Sequence, residues 1–88
     1  IALVIIALFA TFSLQAQHTQ PEELGTVQWL RNYDKALAAA KQLNKPVFIL
    51  FQEVPGCATC RNYGNHVLSH PLIAEVIENE FIPLAIYN

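Results

Sequence analysis

Hydrophobic and polar residues come in blocks along this chain, and each block has its own period. Ile1–Ala10 is wholly apolar, and no charged residue precedes Glu22. Gln17–Gly25 is polar, contains Pro21 and Gly25, and has no periodic apolar pattern, which predicts a flexible leader. Thr26-Val27-Gln28-Trp29-Leu30 then predicts a short edge strand, with Trp29 as a packing residue rather than a ligand contact. Tyr33, Leu37, Ala40 and Leu43 or Asn44 follow at i, i+4, i+7 and i+10 or i+11, the apolar stripe of a helix. Asn32 suits the N-cap of that helix, and Asp34 at its start with Lys41 and Lys45 near its end complements the macrodipole. Asn44 can adopt the left-handed C-terminal conformation, and Pro46 stops the helix.

Pro46–Glu53 reads as a strand. Its core, Val47-Phe48-Ile49-Leu50-Phe51, is continuously apolar without alternation, the pattern of a parallel strand buried on both faces, and Gln52 and Glu53 mark its exit toward solvent. Pro55-Gly56 makes a turn, and a second helix begins at or just before Cys57. Gly64 costs that helix about 1 kcal/mol relative to alanine and predicts a kink. The helix ends by Ser69, and Pro71 opens a third at its first position, with Leu72, Ile73, Val76 and Ile77 as the buried stripe. Phe81–Tyr87 is the next strand. The span from Val47 to Tyr87 is long enough for a right-handed β-α-α-β crossover that sets its two strands parallel, so the chain reads as α/β.

Composition changes this picture at the two ends. The chain has 88 residues, with five basic and seven acidic side chains and no block of one sign longer than Glu22-Glu23, which makes nucleic acid an unfitting partner. Ile1–Leu14 is shorter than the roughly 20 apolar residues a membrane span needs, but it fits the h-region of a secretory signal, with Ala16 closing a small-residue cleavage site. This divides the chain into a signal peptide at 1–16, a leader at 17–25 and a domain at 26–88, and it predicts export to the periplasm or another extracytoplasmic space. The alternatives are an uncleaved anchor, the one route to a membrane association, and an ordinary buried helix. No methionine or basic n-region precedes Ile1, so the reading expects the signal to begin upstream. It also expects the domain to continue past Asn88, because the strand at Phe81–Tyr87 has nothing after it to cover its faces.

Cys57 and Cys60 are the only cysteines. A Cys-x-x-Cys pair closes too small a loop to restrain much of the unfolded chain, so it is a poor structural staple and a better redox or metal site. Where a buried strand hands over to a helix, the first sulfur lies at the helix N-terminus, and the backbone N–H groups there favour its thiolate. Thiol–disulfide exchange needs such a nucleophile and a second thiol within reach to resolve the mixed disulfide. Cys57 fits the first role and Cys60, one turn on, the second.

Three neighbours could assist, and each has a plainer reading. Arg61 is turned about 100° around the helix from Cys60 and reads as a solvated surface residue. Glu53 reads as an exposed glutamate at the strand exit rather than a proton acceptor. Tyr63 could rim the site or pack in the core. Cys57, Cys60, His66 and His70 also spell C-x2-C-x5-H-x3-H, superficially a zinc pattern. Six residues of helix advance about 9 Å and 600°, which carries His66 away from Cys60. A copper(I) or zinc module using the two sulfurs remains the alternative function. An inert pair in a non-catalytic interaction domain is the third.

The ordered set of features resembles the first half of the thioredoxin fold, and more closely the exported thioredoxin-like thiol-disulfide proteins. The features are a tryptophan-containing edge segment, an alanine-rich helix ending in Lys45-Pro46, a hydrophobic strand, the cysteine pair, Val67-Leu68-Ser69-His70-Pro71 and the Phe81-Ile82-Pro83 strand. The resemblance covers about Val27–Asn88. It implies an incomplete thioredoxin-like α/β fold, with β-α-β-α-α-β present and the C-terminal ββα part missing. It also implies an oxidoreductase that exchanges disulfides with protein thiols, nucleophilic and resolving cysteines at Cys57 and Cys60, a redox partner protein and no organic cofactor. Two departures stand out. Gly56 precedes the first cysteine where the family usually has tryptophan, and Ala58-Thr59 replaces Gly-Pro between the two. The family's cis-proline loop belongs after Phe81–Tyr87, so Pro83, inside that strand, is not it.

Overall fold

The computed structural model describes residues 20–88; the signal expected at 1–16 and the leader residues 17–19 lie outside them. Helix α1 spans Tyr33–Leu43, strand β1 Val47–Gln52, helix α2 Ala58–Tyr63, helix α3 Pro71–Glu80 and strand β2 Ile82–Tyr87. A short 3-10 turn, Glu22–Leu24, precedes them, and α2 runs on as a π-helical segment, Gly64–Leu68. The kink expected at Gly64 is therefore a change of helical pitch. β1 and β2 pair in parallel from Val47 opposite Ile82 to Gln52 opposite Tyr87, as the crossover predicts.

The caps of α1 follow from local chemistry. The Asn32 side chain accepts from the Lys35 N–H at 2.9 Å, and Asn44 closes the helix at φ 56°, ψ 50°. At α3, Pro71 occupies the first turn and His70 is the N-cap, its Nδ1 accepting from the Leu72 N–H at 3.2 Å.

Two apolar clusters sandwich the sheet. On one face Leu24, Val27, Trp29, Leu50, Leu68, Ile77 and Ala85 pack together, joined by Phe48 and Ala74. On the other, Ala36, Ile82 and Leu84 gather Leu30, Ala39, Ala40, Val47 and Ile86. Trp29 is a core residue, as expected: its Nε1–H donates to the Leu24 carbonyl at 2.7 Å, which satisfies its buried polar end.

Several expectations are corrected. Thr26–Leu30 is not a strand. Only Leu30 pairs, giving its N–H to Pro83 O at 2.8 Å and accepting from the Ala85 N–H at 2.9 Å. Pro83 turns its backbone toward that segment but has no N–H, so the next rung back toward Gln28 lacks a donor. The leader expected at 17–25 is packed from Gln20 onward. Glu23 and Leu24 are buried, and Gln20 Nε2 donates to Gly25 O and Val27 O at 2.8 and 2.6 Å.

The buried stripes are rotated as well. In α1 the face toward the sheet is Ala36, Ala39 and Ala40, while Tyr33, Leu37 and Leu43 are exposed. Alanines permit a close approach that leucine would block. In α3 only Ile77 of the four expected residues is buried, and it packs with Ala74; Leu72 is 67% exposed. β1 is not buried on both faces, because Ile49 and Phe51 on the α1 side are exposed beyond the cover of that helix.

Candidate functional site

The site lies where β1 gives way to α2. After Gln52 the chain turns through Glu53–Gly56, with Gly56 at φ 103°, a conformation that residues with a Cβ rarely adopt. Beyond its chain neighbours nothing lies within 4 Å of where a Cβ on Gly56 would stand, so it is the positive φ and not crowding that calls for glycine there. Cys57 then takes an extended conformation, φ −95° and ψ 113°, and becomes the N-cap of α2.

The N-cap role uses sulfur where serine or aspartate would offer oxygen. Cys57 Sγ accepts from the Cys60 N–H at 3.1 Å, and the Cys57 carbonyl accepts from the Arg61 N–H at 3.0 Å. Both cysteines are partly exposed and both are free thiols. The Cys60 thiol is pushed above the ordinary thiol range, chiefly by its hydrogen bond to Cys57; the Glu53 backbone pulls the other way. The two sulfurs are therefore unequal: one accepts the helix N–H, and the other keeps its proton to higher pH than an ordinary thiol.

Behind them stands Gln52, where the structure departs from the pattern of the chain. Gln52 does not exit toward solvent. It is 7% exposed, and its Nε2 donates to Glu23 O at 2.7 Å and to Cys60 O at 3.2 Å. The available signal was its register, because Gln52 shares a strand face with Phe48 and Leu50, both packed in the core cluster. Gly64 completes the backing. A Cβ there would overlap the Glu22 carbonyl oxygen and stand 2.6 Å from the Glu23 carbonyl carbon, so glycine admits the 3-10 turn against α2.

Of the remaining singled-out residues, Glu53 is the one that acts on a sulfur, its backbone and its charge pulling the Cys60 thiol in opposite directions. Glu53 is exposed at the strand end. Arg61 faces Glu22, Nε to Oε2 at 4.0 Å, as a loose surface pair. Tyr63 turns into an open apolar groove of about 380 Å³ between α2 and α3, with Phe48 and Phe81 among its walls. His66 is exposed on the π-helical segment, and His70 Nδ1 is occupied as the α3 cap. Among the described residues the structure does not gather Cys57, Cys60, His66 and His70 into one cluster with metal-ligand geometry.

Comparison with known proteins bears on the fold. A family model described as thioredoxin-like matches residues 28–88. The match spans most of the chain, and the chain belongs to that thioredoxin-like family. No curated protein and no solved structure matches it significantly. The strand–CxxC–helix–helix–strand order, with parallel β1 and β2, forms part of the thioredoxin-like fold and is mixed α/β, as expected.

Proposed function

We propose that this protein is a thiol–disulfide oxidoreductase that exchanges disulfides with protein thiols through Cys57 and Cys60. The observation that carries the reading is the sulfur N-cap: Cys57 Sγ accepts the Cys60 N–H at 3.1 Å, which seats the first sulfur at the start of α2 with the second one turn on. One sulfur is thus presented at a helix N-terminus with a second thiol one turn away, the nucleophile and resolving group that exchange requires.

In the reducing direction the Cys57 thiolate attacks one sulfur of a substrate disulfide. A Cys57–substrate mixed disulfide forms, and the substrate's other sulfur leaves as thiolate and takes up a proton. Cys60 then loses its proton and attacks Cys57 Sγ. The Cys57–Cys60 disulfide forms, the mixed disulfide breaks, and the second substrate sulfur leaves as a thiol. Two electrons pass from the cysteine pair to the substrate, and a partner dithiol resets the pair. The same steps in reverse oxidise a substrate dithiol. The apolar run Ile1–Leu14, closed by Ala16, supports placing this exchange outside the cytoplasm, where disulfide substrates persist.

Insulin-disulfide reduction by the full chain tests the proposal. Cys57→Ser is expected to abolish turnover, and Cys60→Ser to accumulate mixed disulfides with the substrate. Full turnover in both variants overturns the reading. Stoichiometric copper(I) or zinc retention without turnover points instead to a metal-binding pair.

A further inference from the structure

We infer that Gln52 is a positioning residue for the resolving cysteine, tethering the Cys60 main chain to the end of β1 and to the 3-10 turn so that the disulfide closes by side-chain rotation alone. The inference rests on the exchange reading above. Gln52 is the last residue of β1, and its side chain is buried and hydrogen-bonds main-chain carbonyls. One amide nitrogen makes both bonds, to Glu23 O at 2.7 Å and to Cys60 O at 3.2 Å. A primary amide has two N–H donors on that nitrogen, and both are used here.

The acceptor at the Cys60 end carries the argument. Its carbonyl lies in the first turn of α2, where it also receives the Gly64 N–H within the helix. The helix therefore already satisfies that oxygen, and the Gln52 bond adds an anchor to the sheet. Cys57 is fixed differently, by the Glu53–Gly56 turn and by its own cap. That cap joins the two cysteines, since Cys57 Sγ accepts the Cys60 N–H, and Gln52 adds a second hold by tying the Cys60 carbonyl to β1. Glu23, the other acceptor, is buried and belongs to the turn that Gly64 admits against α2, so the tether's far end is itself braced.

An intramolecular disulfide is favoured by the effective concentration of its two sulfurs, and that concentration falls when either backbone can wander. Removing the tether leaves the chemistry of both sulfurs intact but loosens the turn that carries Cys60. Resolution of the mixed disulfide should slow and the closed disulfide should weaken, while attack by Cys57 is untouched. A residue with a purely structural role would lower stability without separating these steps.

The test uses the full chain and its Gln52→Met variant, which keeps length and apolar volume but has no donor. Each is equilibrated with reduced and oxidised glutathione, and Cys57 alkylation is measured alongside. Expected is about a tenfold fall in the equilibrium constant for closing the disulfide, equivalent to about 30 mV for this two-electron couple. Glutathione-bound intermediate should accumulate, with the Cys57 alkylation rate unchanged. An unchanged equilibrium in a folded variant overturns the tether. A wild-type pair that never closes overturns the exchange reading and the tether with it. A second measurement needs no variant: the Gln52 side-chain amide protons should exchange with water far more slowly than those of exposed Gln28 and Gln42. Equal exchange also overturns the tether.

Discussion

Gly64 is subject to two opposed effects. Helix propensity favours alanine there by about 1 kcal/mol. Against it, a Cβ would collide with the Glu22 and Glu23 main chain, which has no flexible end to move aside. Overpacking of this kind costs about 1–3 kcal/mol, so Gly64→Ala is expected to destabilise on balance, by up to about 2 kcal/mol in urea unfolding. A more stable variant would show that the 3-10 turn is not packed there. Cys60 makes a pH prediction. Its thiol is raised chiefly by the bond to Cys57, so the folded chain keeps that proton at pH values where the unfolded chain has lost it. Stability should accordingly decline as pH rises from the ordinary thiol range through the raised one. In a 13Cβ NMR titration Cys60 should deprotonate at lower pH in Cys57→Ala than in wild type; no change would remove the assigned cause. The placement of the cysteine pair at the start of α2 was legible because a CxxC after a strand is a local signal. The burial of Gln52 was not, because its partner Glu23 lies 29 positions earlier and a polar residue ending an apolar run resembles an exit.

At the level of elements, what depends on adjacent residues was readable and what depends on distant partners was not. Asn32, Asn44 and Pro71 mark their helix ends through bonds or φ limits within a few residues, and all three act where expected. Asn32→Ala should therefore cost about 1 kcal/mol, measurable as a shift in the unfolding midpoint. Which face of a helix is buried depends on how near the sheet comes. Leu37 and Leu72 fit their periodic stripes, yet Ala36 and Ala74 take the inner positions because small side chains let the helices sit closer. Leu84, fully buried in β2, should lose about 2–5 kcal/mol on substitution by alanine. Leu72→Ala should stay within about 0.5 kcal/mol. Equal losses would mean that Leu72 packs after all. The missing edge strand has the same kind of explanation. Its residues suit a strand, but Pro83 on the neighbouring strand withholds the donor that pairing beyond Leu30 requires.

For the whole molecule, the α/β class and the parallel order of β1 and β2 were readable from the alternation of helical and strand periods and from the length of the crossover. A two-sided sheet with α1 on one face and α2 and α3 on the other places the β1 C-terminal end, the α2 N-terminus and the 3-10 turn together. That junction gives two cysteines three residues apart different surroundings, and the account depends on this inequality. The most direct measurement is the position of first modification in the reduced wild-type chain, using limiting iodoacetamide at neutral pH and fragment mass spectrometry to locate the label. Cys57 is expected to be labelled about tenfold faster than Cys60. Equal labelling, or a preference for Cys60, would contradict it.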